Sequence, residues 1–360
     1  MNQPDKSDMK LGVQLTPWVS ASDLVTAGER LAPQLDTIWV QDQMLARNVW
    51  VTLAALAQRG CGVGTNVTWP IGRNPIEMAS SAATIGELLP QGRRVTIGMG
   101  SGGALVGALF DMSNRAAMVE EALILMRSLW DGNEVALDDF PLLGSRLGYV
   151  PGAVAKLTIP VVKKPDILIA GVGPRVTDMT ARLADGAISA SNLPVHSRAA
   201  MQSADYDSFT NMGPLVARAS TDPNFRLHFG MNLSVAEDRE TARSHARRQV
   251  ALIAGNPGMW PVMERIGLDM DSVHATKNAF DQGLGVAGAS DCVADSVVDA
   301  LIIAGTAEDV LEPLDILRQL AFAHGYTDLF LGAPLGPDLS LASDLLADRV
   351  IPELWPNRAI

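Results

Sequence analysis

Eight short apolar runs, alternating with stretches of helical spacing, predict an α/β fold: a TIM (β/α)8 barrel with insertions after strands four and seven. Three observations carry this. The first hundred or so residues keep a strict β-α-β-α cadence with short connections, which calls for parallel strands wrapped in helices. The strand runs end in polar or glycine-containing turns of the kind found at a barrel rim. The 360 residues exceed the ~250 of a bare barrel, and the surplus falls in two places between strands. No composition shift marks a linker, so residues 1–360 read as a single domain.

Residues 11–15 (LGVQL) form the first strand, closed by Thr16-Pro17-Trp18, and Ser22 is the expected N-cap of a helix through Leu24, Ala27 and Leu31. Residues 37–40 are the second strand and end in Gln41-Asp42-Gln43; a helix over 49–58 follows, with Trp50, Leu53 and Leu56 at helical spacing. The third strand, 63–68, leaves through Trp69-Pro70 to a helix over 75–89. The fourth, 95–99, breaks into Gly100-Ser101-Gly102-Gly103. Strands five to eight are expected at 167–171, 186–191, 227–235 and 327–331. The first insertion is a helix over 115–130 and then a Gly/Pro-containing stretch over 131–165; the second, 239–325, is mostly helical in pattern. Within it Thr306-Ala307-Glu308-Asp309, behind Ile303-Ala304-Gly305, has the pattern of a capped helix start.

Composition excludes several classes. A 48% hydrophobic and 19% charged chain is a compact globular one, and no run of about twenty uncharged apolar residues is present to span a membrane. The polar start MNQPDKSDMK lacks an apolar signal core, which leads to the expectation of a cytoplasmic protein. A net charge of −12 argues against nucleic acid as a partner. Cys61 and Cys292 fit neither a metal spacing nor a disulfide framework, and the five histidines show no ligand pair, so no metal is expected.

The chemistry of a barrel gathers at the carboxyl ends of its strands. Three glycines within Gly100-Ser101-Gly102-Gly103 suit either an ordinary strand-to-helix turn or close approach of a phosphate or anionic ring edge. This is not the spaced dinucleotide fingerprint, because no acidic residue ends a second strand at the expected distance. Gly171-Val172-Gly173-Pro174-Arg175 is a second candidate anion cradle, or a tight turn with a solvated arginine. Asp42, the only carboxylate at the first four strand ends, is a proton donor or hydrogen-bond anchor, or else a helix N-cap or a surface acid. Trp18 and Trp69 lie beyond their strands and suit a wall around a planar ring; Trp39, inside its strand, reads as packing.

Taken together, DTIWVQDQ at the second strand, VGTNVT followed by RNP at the third, RRVTIGMGSG at the fourth, PDILIAGVGPR, VVDALIIAGTAEDV and the closing LFLGAPLGPD occur in a familiar order. The chain resembles the bacterial luciferase-like flavin superfamily over nearly its whole length. Within it, the resemblance is to the deazaflavin branch of F420-dependent methylenetetrahydromethanopterin reductases and dehydrogenases. That resemblance implies a dimeric barrel holding the cofactor ring at its carboxyl-end mouth, backed by a third-strand bulge, often with a non-prolyl cis peptide, at Thr65, Asn66 and Val67. It implies that Gly100, Ser101, Gly102 and Gly103, with Gly171, Gly173, Pro174 and Arg175, carry the cofactor's phosphate and tail. Asp42 matches the acidic position close to the deazaflavin ring, with Gln43 beside it; Trp18, Thr68 and Trp69 would face a small-molecule substrate.

Two departures bear on the reaction. Relatives commonly carry a histidine where this chain has Gln43, and dehydrogenases of the group carry a glutamate where it has Gly103. Both losses remove proton-transfer groups. The expected activity is therefore hydride transfer between C5 of coenzyme F420 and an activated C=C, C=N or C=O substrate. The alternatives are an FMN-dependent monooxygenase consuming oxygen and a non-catalytic flavin-binding relative.

Overall fold

The computed structural model describes residues 9–102, 107, 109–189, 194 and 197–358, with the backbone alone at 207. Eight parallel strands close into a barrel: β1 (Lys10–Leu15), β2 (Thr37–Val40), β3 (Val63–Thr68), β4 (Val95–Met99), β5 (Asp166–Ile169), β6 (Gly186–Ile188), β7 (Arg226–Val235) and β8 (Asp328–Leu335). Each pairs with the next, and β8 returns to β1 in the register Leu11 to Leu329 and Val13 to Leu331. The expected TIM barrel is the fold observed.

The strands read as near-continuous apolar runs because helices cover them outside and side chains fill the barrel inside. The filling around Trp39 is set by its neighbours. Trp39 is 1% exposed, with its ring 5.4 Å from that of His228 and 6.2 Å from that of Phe330. A Cβ at Gly12 on β1 would stand 2.6 Å from the indole Nε1, and one at Gly64 on β3 would stand 2.5 Å from Cζ3. One large side chain thus occupies the space of three, which requires glycine on both flanking strands. The reading of Trp39 as packing agrees with this.

Helix α1 (Ala21–Leu31) is capped by Ser20, whose Oγ accepts from the Asp23 N–H at 3.1 Å. Ser22, the expected cap, lies inside the helix and meets Ser20 hydroxyl to hydroxyl at 2.8 Å. The first of two serines at this spacing reaches the third-residue N–H, so the cap falls there. Helices α2 (Val49–Gln58) and α3 (Pro75–Leu88) begin at Asn48 and Asn74, each of which accepts backbone N–H groups of the first turn. Helix α4 (Arg115–Trp130) opens the first insertion, which also contains a two-residue antiparallel pairing of Val135–Ala136 with Val154–Ala155.

The structure corrects several strand limits: β5 ends at Ile169 rather than at 171, and β6 ends at Ile188. Ile303–Gly305 is itself a strand, paired parallel to the extended end of β7 outside the barrel. β8 runs on to Leu335 rather than ending near 331, through a register shift between Gly332 and Leu335. Residue 191, the expected end of the sixth strand, lies outside the described residues. The second insertion builds its own apolar cluster, with Val250, Val273, Val297 and Val298 fully buried within it. No helix among the described residues is long and apolar enough to cross a membrane, and none of them forms a cluster of potential metal ligands.

Candidate active site

At the carboxyl end of the barrel, Asp42 stands two residues beyond β2 with its side chain wholly buried. Its Oδ2 accepts from Thr68 Oγ1 at 2.7 Å and from Arg73 Nε at 3.0 Å, while Oδ1 accepts from Arg73 Nη2 at 2.6 Å. The backbone carbonyl of Asp42 accepts the Trp69 indole N–H at 3.3 Å. An ionised carboxylate is acceptor-only, and a guanidinium fork matches it bidentately. Asp42 therefore ties the end of β2 to the segment that leaves β3. Gln43 is half-buried, and its carbonyl accepts the Ala46 N–H at 2.9 Å.

β3 is irregular where a bulge is expected. The peptide between Asn66 and Val67 is cis, and the pairing with β4 shifts register between Thr65 and Thr68. Thr65 Oγ1 donates to the Gly98 carbonyl at 2.8 Å, and the Gly100 N–H donates to the Thr68 carbonyl at 2.9 Å. A Cβ at Gly98 would lie 2.2 Å from the Thr65 carbonyl oxygen, so the approach of β4 to the bulge requires glycine there. The Asn66 side chain is 4% exposed, and its Nδ2 has no hydrogen-bond partner. A buried amide donor left unmatched at a barrel mouth is a group awaiting an acceptor.

The two glycine turns are neighbours because β4 and β5 pair, and the Ala170 N–H donates to the Met99 carbonyl at 2.8 Å. Gly100 is buried, Ser101 and Gly102 are half-buried, and Gly102 has φ +85°; Gly103 lies outside the described residues. On the other turn, Gly171 and Gly173 lead into helix α5 (Pro174–Leu183), which starts with proline and has no side-chain cap. Arg175 is exposed in its first turn, and Asn211 Nδ2 braces the turn through the Val172 carbonyl at 2.6 Å. An uncapped helix start beside an exposed arginine suits an anion.

The expected substrate wall is only partly assembled. Trp18 is 59% exposed on the loop after β1, held through its carbonyl by Arg47 at 3.2 Å. Trp69 is 2% exposed, packed beside Phe110 and against Gly72, because its indole N–H turns inward to Asp42. Thr68 is fully buried, with its hydroxyl donated to Asp42 rather than offered to a ligand.

Arg73, in GRNP, reads in the sequence as an anion-cradle arginine or a solvated one; the structure gives its guanidinium to Asp42 instead, a partnership that spans 31 positions and that no periodicity reveals. One residue escaped attention in the sequence. Gln14 had a signal: it is the one polar residue in LGVQL, and it is 3% exposed. Its Nε2 donates to the Asn66 carbonyl at 3.0 Å, and its Oε1 accepts the Ala333 N–H at 3.4 Å.

At the opposite, amino-terminal mouth lies a cavity of about 380 Å³ bordered by Lys10, Asp166, Arg226, His228 and Asp328. Arg226 grips Asp328 at 2.7 and 2.9 Å, an arrangement that holds strand ends together at the face of a barrel where stability, not chemistry, is organised.

A family model described as luciferase-like monooxygenase matches residues 4–324. The 5,10-methylenetetrahydromethanopterin reductase of Archaeoglobus fulgidus is 30% identical over 362 residues, covering 96% of this chain and 100% of the relative. The enzyme of the same name from Methanolobus tindarius is 26% identical, covering 89% of this chain and 94% of its own. Among solved structures, the coenzyme F420-dependent tetrahydromethanopterin reductase from Methanopyrus kandleri superposes with a TM-score of 0.73 at 20% identity, covering 96% and 99% of the two chains. An F420-dependent secondary alcohol dehydrogenase in complex with an F420–acetone adduct gives 0.68 at 19% identity, again covering 96% and 99%.

Proposed function

We propose, from the premise that this chain belongs to the luciferase-like monooxygenase family, that it is a coenzyme F420-dependent oxidoreductase acting on a small molecule with an activated C=C, C=N or C=O bond. The observation that supports the cofactor's identity is the end-to-end likeness, at 30% identity, to an enzyme named as a methylenetetrahydromethanopterin reductase, together with the description of the solved tetrahydromethanopterin reductase from Methanopyrus kandleri as coenzyme F420-dependent.

The residues present fit such a cofactor. The unmatched Nδ2 of Asn66 supplies a donor for a ring acceptor, and the bulge at Thr65, Asn66 and Val67 supplies a backing surface. The turns Gly100–Gly102 and Gly171–Arg175 supply backbone N–H groups and one exposed cation for phosphate and an acidic tail. When bound, coenzyme F420 supplies a two-electron hydride at C5.

The chain's own contribution is orientation. The β3 bulge fixes the plane against which a ring lies. Arg73 and Thr68 engage both oxygens of Asp42, so this residue serves as the anchor of the mouth, and water or the substrate supplies the proton. Gln43 offers a half-buried amide able both to donate and to accept at that edge. Trp18, exposed above the mouth, is the aromatic surface available to a substrate.

A cytoplasmic homodimer belongs to the same reading; Leu45 and Val51, 72% and 68% exposed beside and on α2, provide apolar surface for a second copy. The function is tested by anaerobic oxidation of F420H2 with a panel of activated alkenes, imines and carbonyls, run beside oxygen uptake with reduced FMN. Acceptor-dependent oxidation supports the reading; oxygen-dependent product formed with FMN alone replaces it with a monooxygenase.

A further inference from the structure

Among the described residues, two strands of this barrel end irregularly at the carboxyl face. β3 shifts register between Thr65 and Thr68, and β8 shifts between Gly332 and Leu335. The second irregularity is marked twice more: the Ala333–Pro334 peptide is cis, and Leu335 sits at φ +64°, a left-handed conformation that a branched aliphatic residue rarely adopts. The left-handed φ of Leu335 persists where its surroundings over-determine it. The β8 kink lies within GAPLGPD, a segment to which the proposed function gives no role.

Between β8 and β2 stands β1, and from it Gln14 reaches both kinks. Gln14 registers with Trp39 on β2, so its side chain lies on the same, inner face of the sheet. The amide is the one group here able to satisfy both partners: its NH2 donates to the Asn66 carbonyl of β3, and its oxygen accepts the Ala333 N–H of β8. A carboxylate could accept from Ala333 but not donate to Asn66, and an apolar residue could do neither.

We propose that Gln14 is a positioning residue: it latches the β3 kink to the β8 kink, so that the Asn66 side chain and the GAPLGPD turn hold fixed places on either side of the mouth. This rests on the F420 reading for its functional consequence, but not for the latch itself. Gln14 touches no reacting atom in this scheme; it acts through Asn66.

The test compares wild type, Gln14→Met, Gln14→Glu and a control, Gln34→Met. Gln34 is also buried, 5% exposed against 3% for Gln14, and donates to the Ala347 carbonyl at 2.9 Å, but from the 3-10 turn that precedes β2 at its amino-terminal end, so it tests the loss of a buried amide alone. Hydrogen–deuterium exchange and F420 affinity are read for each. The expected result is at least tenfold faster exchange at both Thr65–Thr68 and Gly332–Gly336 in Gln14→Met, with neither segment altered in Gln34→Met. F420 affinity falls at least tenfold in Gln14→Met and less than threefold in the control. Gln14→Glu, which keeps one bond, loosens the β3 segment more than the β8 segment. Unchanged exchange at either kink in Gln14→Met overturns the latch, whatever the cofactor result. Loosened kinks with unchanged F420 affinity overturn the positioning role. A wild type that does not bind F420 defeats the functional reading and with it the positioning role, while the exchange arm still decides the latch.

Discussion

Arg73 holds Asp42 with a two-pronged grip, Nη2 to Oδ1 at 2.6 Å and Nε to Oδ2 at 3.0 Å, across the gap between the ends of β2 and β3. The carboxylate has no exposed side-chain surface and the guanidinium is 19% exposed, so breaking the pair from either side leaves a poorly solvated charge. Asp42→Asn and Arg73→Met should each cost about 2–4 kcal/mol, read from urea midpoints at constant slope. The double variant should lose less than the sum, because both changes remove one interaction. Turnover should fall in parallel in the two single variants. A loss confined to Asp42→Asn would instead assign that carboxyl a direct part in proton transfer.

The glycines of β4 differ in how tightly they are held. A Cβ at Gly98 meets the Thr65 carbonyl oxygen at 2.2 Å, whereas one at Gly100 meets a methyl of Val67 at 3.3 Å. Backbone cannot yield as a side chain can. Gly98→Ala should therefore destabilise by about 2–3 kcal/mol and Gly100→Ala by under about 1, measured by chemical unfolding.

The stability of the amino-terminal mouth should depend on pH through His228. Burial holds this imidazole below its ordinary value; the nearby Asp328 carboxylate opposes that shift, and Arg226 and Lys10 add to it. The unfolded chain takes up a proton near pH 6.5, and the folded one only at lower pH. Between those two points the unfolded state binds more protons, so stability declines as pH drops below about 6.5 and levels off below the folded value. His245, also depressed by burial, contributes with the same sign. Comparing unfolding free energies from pH 7 to 5, His228→Leu should show a shallower slope than wild type, with the remainder due to His245.

Arg175 is exposed at the start of α5, and no ion pair among the described residues engages it. Arg175→Ala should leave unfolding within about 0.5 kcal/mol of wild type. F420 affinity should nevertheless weaken about three- to tenfold, and the difference should shrink as salt is raised, since an exposed charge is screened. Equal affinity at low salt would place the cofactor tail elsewhere.

How much of this was legible beforehand follows from which signals are local. Strands such as Val63–Thr68 and Val95–Met99, and helices such as Val49–Gln58 and Arg115–Trp130, announce themselves by apolar spacing and bounding polar residues, and their limits match the structure. The cap of α1 was misplaced by two residues because Ser20 and Ser22 are chemically equivalent in sequence and only hydrogen-bond geometry separates them. The extra strand Ile303–Gly305 was not foreseen because three residues carry no period; pairing with an overlong β7 creates it. At the site, the bulge position came from family resemblance. The inward turn of Trp69, the capture of Thr68 by Asp42 and the reach of Gln14 depend on contacts between residues far apart in the chain.

Hydrogen–deuterium exchange of the wild-type protein with and without saturating F420 interrogates the main proposition at its source. Protection should appear together at the third-strand bulge around Thr65–Thr68, at Gly100–Gly102 and at Val172–Val176, with FMN giving less. Protection confined to the amino-terminal mouth around His228 and Asp328, or seen with FMN and absent with F420, would contradict the account.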